Sequence, residues 1–179
     1  MALILLRHTT PAVEPGICYG QTDLDVASTF RDEAAVVASA LPNVHHIVTS
    51  PLQRCRKLAD VLSKMTGRTI TEDCRIMEMD FGTWEERAWS DIPRDELDAW
   101  AADFLHARPH GGESVSMLRT RTLEALGQWR QNVGPVLIVT HAGVIKAALA
   151  SGDKAADFAT NIDFGGIVTI SPPKGDSDE

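Results

Sequence analysis

Continuous apolar runs alternate along this chain with segments whose apolar residues recur at helical spacing. Residues 2–6 and 136–139 are unbroken apolar runs, which predict strands buried on both faces. From Ser28 to Leu41 the apolar spacing predicts a helix, and residues 46–49 predict the next strand. A strand, a helix and a second strand form a βαβ unit, so the pattern predicts an α/β fold with a parallel sheet.

A second helix is predicted directly after the strand at 46–49. Ser50 is a suitable N-cap, Pro51 suits the first helical position, and Gly67 ends the apolar spacing. The other predicted elements are a short strand within 68–77, a helix within 90–106, a helix from Val115 to Trp129, and, after the strand at 136–139, a short helix and a strand near 166–170. Pro93 restricts the helix within 90–106 because proline fits only its N-terminal positions.

Length and composition predict one domain. The chain has 179 residues, 44% of them hydrophobic, and no Pro/Gly/Ser-rich stretch divides it. We expect a single domain over residues 1–170. Residues 171–179 are polar and charged and contain two prolines and a glycine, which predicts a flexible tail.

Charge and cysteine content narrow the possible partners and compartments. The net charge of −8 repels a polyanion, so we expect no nucleic-acid partner. Cys18, Cys55 and Cys74 are odd in number and form no CxxC pair, which favours neither disulfides nor zinc and fits a reducing, cytoplasmic setting. The apolar start is only five residues long, so we expect no signal peptide and no membrane segment. The sequence does not indicate an oligomeric state.

Two histidines directly follow predicted strands, in Arg7-His8 and Thr140-His141. Open α/β sheets place their active sites at the carboxyl ends of such strands. A neutral imidazole is a good nucleophile, and a neighbouring guanidinium disfavours its protonation and attracts an anion. The Arg7-His8 pair therefore suits attack on a phosphoryl group, although an isolated pair of this kind is more often structural.

Two further side chains fit the same chemistry. Arg54 lies in the first turn of the second predicted helix, where free N–H groups favour an anion, but it also fits a solvated basic face with Arg56 and Lys57. Glu78 has apolar neighbours, and we expect partial burial to raise its pKa and make it a general acid. A plain surface glutamate is the alternative, and Asp80 and Glu85 are rival acids.

Four sequence blocks together carry a family resemblance. They are Leu6-Arg7-His8, Ser50-Pro51-Leu52-Gln53-Arg54, Glu78-Met79-Asp80-Phe81-Gly82 and Thr140-His141-Ala142-Gly143. In this order and spacing the chain resembles the histidine phosphatase superfamily, also called phosphoglycerate mutase-like, over about residues 3–146. The resemblance implies a three-layer α/β/α sandwich around a mostly parallel central sheet, and a phosphohistidine intermediate formed without a metal or other cofactor.

The same resemblance implies a role for each matching residue. His8 is the nucleophile, Arg7 and Arg54 hold the phosphate, Glu78 is the general acid, and His141 supports the transferring group. These roles agree with the chemistry of the residues, because positioned cations stabilise the charge on the phosphoryl oxygens. A small-molecule phosphomonoester is the implied substrate.

Within the superfamily, the stretch from Gly16 to Leu24 resembles α-ribazole phosphatases, which act in cobalamin nucleotide-loop assembly. The resemblance implies α-ribazole 5′-phosphate as substrate. The candidate substrate contacts are Gly20, Gln21, Thr22, Glu113 and Trp84. Trp84 or Tyr19 is expected to stack on a planar base. Glu113 either binds substrate hydroxyls or belongs to a turn in which Ser114 caps the next helix.

The sequence departs from the family pattern in three places. Thr9 replaces the glycine that commonly follows the nucleophilic histidine, and Glu86 replaces a glycine after Trp84-Glu85. The segment after His141 is also short. The second and third departures concern the rim of the substrate pocket.

Other activities fit the sequence less well. Asp23-Leu24-Asp25-Val26 matches the motif of metal-dependent aspartate phosphatases but follows no apolar strand, and no cysteine has the CxxxxxR spacing of cysteine phosphatases. A phosphatase of another small metabolite and a phosphoglycerate mutase stay open, although mutases generally carry longer insertions. A non-catalytic phospholigand-binding domain is less favoured because both histidines, both arginines and Glu78 are present.

Overall fold

A five-stranded sheet forms the centre of the molecule in the computed structural model, which describes residues 1–171. The strands are β1 (Leu3–Arg7), β2 (His46–Thr49), β3 (Ile70–Glu72), β4 (Val136–Thr140) and β5 (Ile167–Ile170). Their order is β3-β2-β4-β1-β5, and only β5 runs antiparallel to its neighbour. Residues 172–179 are not described, so nearly all of the tail predicted over 171–179 lies outside the described residues.

Helices cover both faces of the sheet. They are α1 (Phe30–Ala40), α2 (Gln53–Thr66), α3 (Arg94–Ala102), α4 (Val115–Trp129) and α5 (Ala142–Leu149). Alternate residues of β1 point to opposite faces: Ile4 and Leu6 pack with α1 and α2, whereas Leu3 and Leu5 pack with α4 and α5. The predicted α/β fold, with its three layers and mostly parallel sheet, is confirmed. In the described part of the chain, no helix is long and apolar enough to cross a membrane.

Three local predictions need correction. The strand predicted within 68–77 is only Ile70–Glu72 and is followed by a 3₁₀ helix at Cys74–Ile76, while the helix predicted within 90–106 is shortened to Arg94–Ala102 behind Pro93. Ser50 does not cap α2, which begins at Gln53 after Leu52 without a side-chain cap. The Ser50 hydroxyl instead contacts His141. Two predicted helix signals are confirmed: Gly67 ends α2 with φ 69°, and the Ser114 hydroxyl accepts from the Met117 amide to cap α4.

Candidate active site

Pairing of β1 with β4 brings the two histidines together. The strands are parallel and Arg7 lies opposite Thr140, so His8 and His141 leave the sheet at the same edge. Their ring centroids are 5.2 Å apart, with an interplanar angle of 62°. Both side chains are almost completely buried. His8 and His141, which are far apart in sequence, therefore lie next to each other in the fold.

His8 has an unprotonated ring nitrogen. Its Nδ1 lies 2.7 Å from the Thr9 carbonyl oxygen, which can only accept, so Nδ1 carries the proton and Nε2 keeps its lone pair. Burial lowers the pKa of His8 to about 3, with further lowering from Arg54 and a smaller contribution from Arg7, against the opposing effect of the Thr9 carbonyl. Threonine at position 9 therefore still supplies the carbonyl that fixes the tautomer.

The two predicted phosphate-binding arginines lie beside His8 and are held by backbone carbonyls. Arg7 Nη1 donates to the Ile162 carbonyl at 2.6 Å, and Arg54 donates to the Thr22 and Gly20 carbonyls at 2.8 and 2.7 Å. Within residues 1–171, the Nε atoms of both arginines are buried without a hydrogen-bond partner. Each guanidinium is thus anchored by backbone carbonyls and keeps one buried donor without a partner.

His141 is contacted by Ser50, which directly follows β2, and by Cys55 of α2. Its Nε2 lies 2.8 Å from Ser50 Oγ and 3.5 Å from Cys55 Sγ. Burial lowers the pKa of His141 well below its usual value, and the charges of neighbouring groups, His8 first, add to the effect. His141 is therefore a neutral imidazole whose orientation Ser50 fixes.

Glu78 reaches the same edge of the sheet from the segment before α3. Its carboxylate accepts from the Met79 amide at 2.9 Å and from the Gly143 amide, two residues beyond His141, at 3.1 Å. The rival acids are used elsewhere, because Glu85 accepts from the amides of Gln21 and Thr22, and Asp80 accepts from Gly82. Of the three carboxylates, the one that contacts the His141 segment is that of Glu78.

The loop at 20–22 forms part of the site wall. The Gly20 carbonyl binds Arg54, the Gln21 side chain donates to the Glu78 carbonyl at 3.0 Å, and the Thr22 hydroxyl donates to Glu85 at 2.5 Å. Gly20 has φ 36°, and a Cβ there would collide with the Glu85 carboxylate. All three residues, which were predicted to contact substrate, form hydrogen bonds within the protein instead. They shape the site by holding Arg54, Glu78 and Glu85 in place.

Two predicted substrate contacts are placed away from the site. Trp84 is completely buried against Trp89, Trp100 and His110, and its Nε1 donates to Glu96 at 2.6 Å. Its ring faces are covered by protein, so stacking on a substrate base is not possible in this arrangement. Glu113 is buried and paired with Arg121 at 2.7 Å. The alternative prediction, a turn in which Ser114 caps α4, describes this segment.

The sequence did not indicate that Ser50, Cys55 or Phe164 belongs to the site. The Phe164 ring lies 3.8 Å from Arg7 Cζ and 5.6 Å from the His8 ring. Ser50 follows β2, whose carboxyl end lies at the same edge as β1 and β4, so the rule that located both histidines would also have found it. Phe164 and Cys55 carry no comparable signal. In the described residues 1–171, no three His, Cys, Asp or Glu side chains are grouped to hold a metal ion.

The chain is similar to both phosphatases and mutases of known sequence or structure. It is 30% identical over 165 residues to the glucosyl-3-phosphoglycerate phosphatase of Mycolicibacterium vanbaalenii, covering 83% of this chain and 72% of the relative. It is 31% identical over 117 residues to the probable phosphoglycerate mutase GpmB of Photorhabdus laumondii, covering 62% of this chain but only 54% of that relative.

Solved structures show the same fold. The native mycobacterial glucosyl-3-phosphoglycerate phosphatase superposes with a TM-score of 0.81 at 26% identity, covering 95% of this chain and 89% of that one. A phosphoglycerate mutase from Thermus thermophilus gives a TM-score of 0.77 at 27% identity, with 97% and 94% covered. The sequence model of the histidine phosphatase superfamily (branch 1) matches residues 3–165. Together with the paired histidines and arginines at one sheet edge, this match shows that the chain belongs to the histidine phosphatase superfamily.

Proposed function

We propose that the protein is a phosphomonoester hydrolase that acts through a phosphohistidine at His8 and requires no metal or other cofactor. The main support is the state of His8: Nδ1 is held by the Thr9 carbonyl, so Nε2 is an unprotonated nucleophile beside Arg7 and Arg54. The two guanidinium groups beside His8 supply positive charge and hydrogen-bond donors for the phosphate oxygens. A nucleophile beside two such donors is what phosphoryl transfer needs.

The reaction has two displacements. His8 Nε2 forms a bond to phosphorus as the bond to the ester oxygen breaks, and Glu78 in its acid form gives its proton to the departing oxygen. The Glu78 carboxylate then takes a proton from water, which attacks phosphorus and breaks its bond to Nε2. Phosphate leaves, and His8 and Glu78 return to their starting forms.

His141 acts beside the transferring group. Its ring is neutral, oriented by Ser50, and adjacent to His8, so it can hydrogen-bond a phosphoryl oxygen while Arg7 and Arg54 neutralise charge. The three side chains thus have separate roles, one orienting the transferring group and two stabilising its charge.

For the substrate we propose α-ribazole 5′-phosphate, on the resemblance of residues 16–24 to α-ribazole phosphatases. Relatives with other substrates define the competing candidates: one acts on glucosyl-3-phosphoglycerate, and another is a probable phosphoglycerate mutase.

The three cysteines are free, and Cys18 and Cys55 are buried, in keeping with a reducing, cytoplasmic compartment.

The reaction is tested by phosphate release from an aryl phosphate. We expect His8→Ala to lower kcat by at least about a thousandfold and Glu78→Gln to slow both steps. An acid-labile phosphoryl group should be trapped on wild-type protein and absent from His8→Ala, and EDTA should leave the rate unchanged. Full activity of His8→Ala would overturn the proposal, and wild-type protein that binds phosphate without turnover would identify a binding domain.

The substrate is tested by comparing kcat/KM for α-ribazole 5′-phosphate, glucosyl-3-phosphoglycerate and 3-phosphoglycerate. A preference of about tenfold or more for the first is the expected result. Conversion of 3-phosphoglycerate to its isomer without phosphate release would identify a mutase. Equal values for all three would remove the substrate proposal and leave the hydrolase proposal standing.

A further inference from the structure

An apolar cavity of about 300 Å³ lies beside Glu78. α3, α4, α5 and the 3₁₀ helix Ala155–Phe158 contribute to its walls. Its principal apolar lining residues are Phe81, Trp100, Phe104, Val115, Leu118 and Phe158. Four of these six side chains are aromatic, so the cavity offers ring faces and edges to a ligand.

The aromatic wall is continuous. The rings of Trp100 and Phe104 lie 5.7 Å apart, those of Phe104 and Phe158 lie 5.3 Å apart, and Phe81 contacts Trp100 edge-on at 6.2 Å. Each ring supports the next, because such contacts stabilise aromatic pairs beyond their burial. The wall is therefore preformed and needs little ordering when a ligand binds.

The cavity lies next to the candidate active site, on the side of Glu78. Glu78 and Gly143 both line it, and the Glu78 carboxylate is bonded to the Gly143 amide two residues beyond His141. If Glu78 protonates the ester oxygen, the carbon attached to that oxygen extends on the Glu78 side of the phosphoryl group. The substituent of the alcohol then meets the aromatic wall.

One cation also lines the cavity. Lys146 lies on α5, one turn beyond Gly143, and is partly buried. It has no salt bridge to any residue within the described range 1–171, whereas Arg119 and Arg121 of α4 are each paired with a carboxylate. An ammonium group beside an apolar wall is best satisfied by an anionic or hydrogen-bond-accepting group of a ligand.

We propose that this cavity binds the leaving group and selects an alcohol with a planar aromatic body that carries an acceptor or anionic group for Lys146. The inference rests on the proposed hydrolase function and extends it from the reaction to the substrate class. A small polar alcohol buries no aromatic surface there and gains nothing from the cavity.

The aromatic part is tested with two esters of matched leaving-group acidity, 2-(2-naphthyl)ethyl phosphate and ethyl phosphate. We expect wild-type protein to prefer the naphthyl ester by at least about tenfold in kcat/KM. Phe104→Ala, which thins the wall, and Ala155→Trp, which fills the rim of the cavity from an exposed position, should each reduce that preference. Phe30→Ala on the opposite face of the sheet is the matched control and should retain it.

The cation is tested with the naphthyl ester and a ring-carboxylated analogue. We expect wild-type protein to prefer the carboxylated ester over the plain naphthyl ester by about tenfold in kcat/KM. Lys146→Met should remove this preference and change kcat/KM for the plain ester by less than about twofold. Equal kcat/KM for naphthylethyl and ethyl phosphates in wild-type protein would overturn the cavity proposal alone. If neither these esters nor the aryl phosphate is hydrolysed, the hydrolase proposal fails, and calorimetric binding of 2-(2-naphthyl)ethanol to wild-type protein but not to Ala155→Trp would still support the cavity.

Discussion

At the scale of single residues, the protonation of His8 is decided chiefly by burial. Desolvation is the largest cause of its lowered pKa, and the Arg54 charge lowers it more than Arg7, its neighbour in sequence. The adjacent Arg7 predicted a neutral imidazole at His8, but the main cause of its lowered pKa is burial. Burial depends on how distant segments pack, and no local pattern around Arg7-His8 contains that information.

The lowered pKa of His8 predicts a loss of stability in acid. The unfolded chain takes up a proton on this side chain near pH 6.5, whereas the folded protein does so only near pH 3. The unfolded state therefore binds more protons between these values, and the free energy of unfolding falls by about 1.4 kcal/mol per pH unit as the pH drops below about 6.5.

Urea denaturation of wild-type protein and His8→Asn at about pH 7.5 and pH 5.0 checks this prediction. The variant should lose about 2 kcal/mol less than wild type over that range, because it lacks one of the titrating groups. His46 and His110, whose pKa values are also lowered, titrate in both proteins and cancel in the difference. Burial, the main cause of the lowered pKa of His141, is present in both proteins, so His141 affects the difference only through its smaller interaction with His8. An identical pH dependence in the two proteins would contradict the assignment.

Glu86 adopts a conformation that suits glycine. Its φ is 65°, and it is the sole non-glycine residue with positive φ in the described chain, at a position where the family pattern carries glycine. Its side chain is exposed, so little contact is lost on removal. We expect Glu86→Gly to raise the free energy of unfolding by roughly 0.5 to 1 kcal/mol. Glycine relieves the strain of the left-handed conformation, and the greater entropy of the unfolded chain offsets part of that gain.

Chemical denaturation measures the effect, with Glu86→Ala as the control. Alanine removes the same carboxylate but retains a Cβ and the strain, so its stability should stay within about 0.5 kcal/mol of wild type. If alanine stabilises as much as glycine does, the gain comes from the lost charge and the strain argument is wrong.

At the scale of elements, α4 positions the segment that carries Glu78. Arg121 on α4 donates to the carbonyls of Arg75, Met77 and Glu78 at 2.6 to 2.9 Å, and its other side is held by Glu113. This segment has only the 3₁₀ turn Cys74–Ile76, so its backbone carbonyls depend on side-chain donors. Glu113 therefore contributes to the site through Arg121, without touching the candidate substrate pocket.

We expect Arg121→Met to lower kcat by up to roughly 100-fold, because misplacement of Glu78 by about 1 Å has effects of that size. Stability should also fall by about 2 kcal/mol or more, since buried carbonyls lose their donors. Arg119→Met on the same helix is the matched control: it releases Asp153 and two carbonyls but leaves the contacts of Arg121 with the Glu78 segment in place. If both variants lose stability but neither loses kcat, Arg121 is only structural.

The predictability of each element follows the strength of its local pattern. β1, β2, β4 and α4 were found within about two residues because their apolar runs or apolar spacing are complete. The region between β3 and α4 was predicted poorly, since its 3₁₀ turns and the short α3 are held by tertiary contacts such as those of Trp84 and Arg121. Trp84 and Glu113 were misassigned for this reason: a motif shows that a residue matters without showing whether it faces ligand or core.

At the scale of the whole molecule, the sheet order creates the site. β4 lies between β2 and β1, so the carboxyl ends of these three strands place Ser50, His141 and His8 side by side. The sequence indicated two histidines directly after predicted strands and a parallel sheet, but it did not indicate which strands are neighbours. That choice depends on how the connecting helices cross the two faces of the sheet, and no strand order was predicted from the sequence.

We expect phosphate binding at the proposed site to stabilise the whole fold. The arginine Nε atoms are buried donors without partners in residues 1–171, and Arg54 ties α2 to the loop at 20–22. An oxyanion held by both arginines binds the folded state alone, because unfolding separates Arg7 from Arg54. Inorganic phosphate at about 100 times its Kd should therefore raise the free energy of unfolding by about 2.7 kcal/mol. For a chain of this length, that corresponds to an increase in Tm of roughly 5 to 10 °C.

Thermal melts in phosphate and in chloride of equal ionic strength measure this increase. Arg54→Lys keeps the charge but loses the forked donor geometry, so its Tm should rise much less in phosphate than that of wild type. Arg56→Lys, on the outer surface of the same helix, should respond as wild type does, because Arg56 pairs with Asp60 and Glu72 outside the site. An equal rise for Arg54→Lys and wild type, or an equal rise in chloride, would mean that phosphate acts through general ionic strength or at another place, and Arg54 would then not be a phosphate ligand.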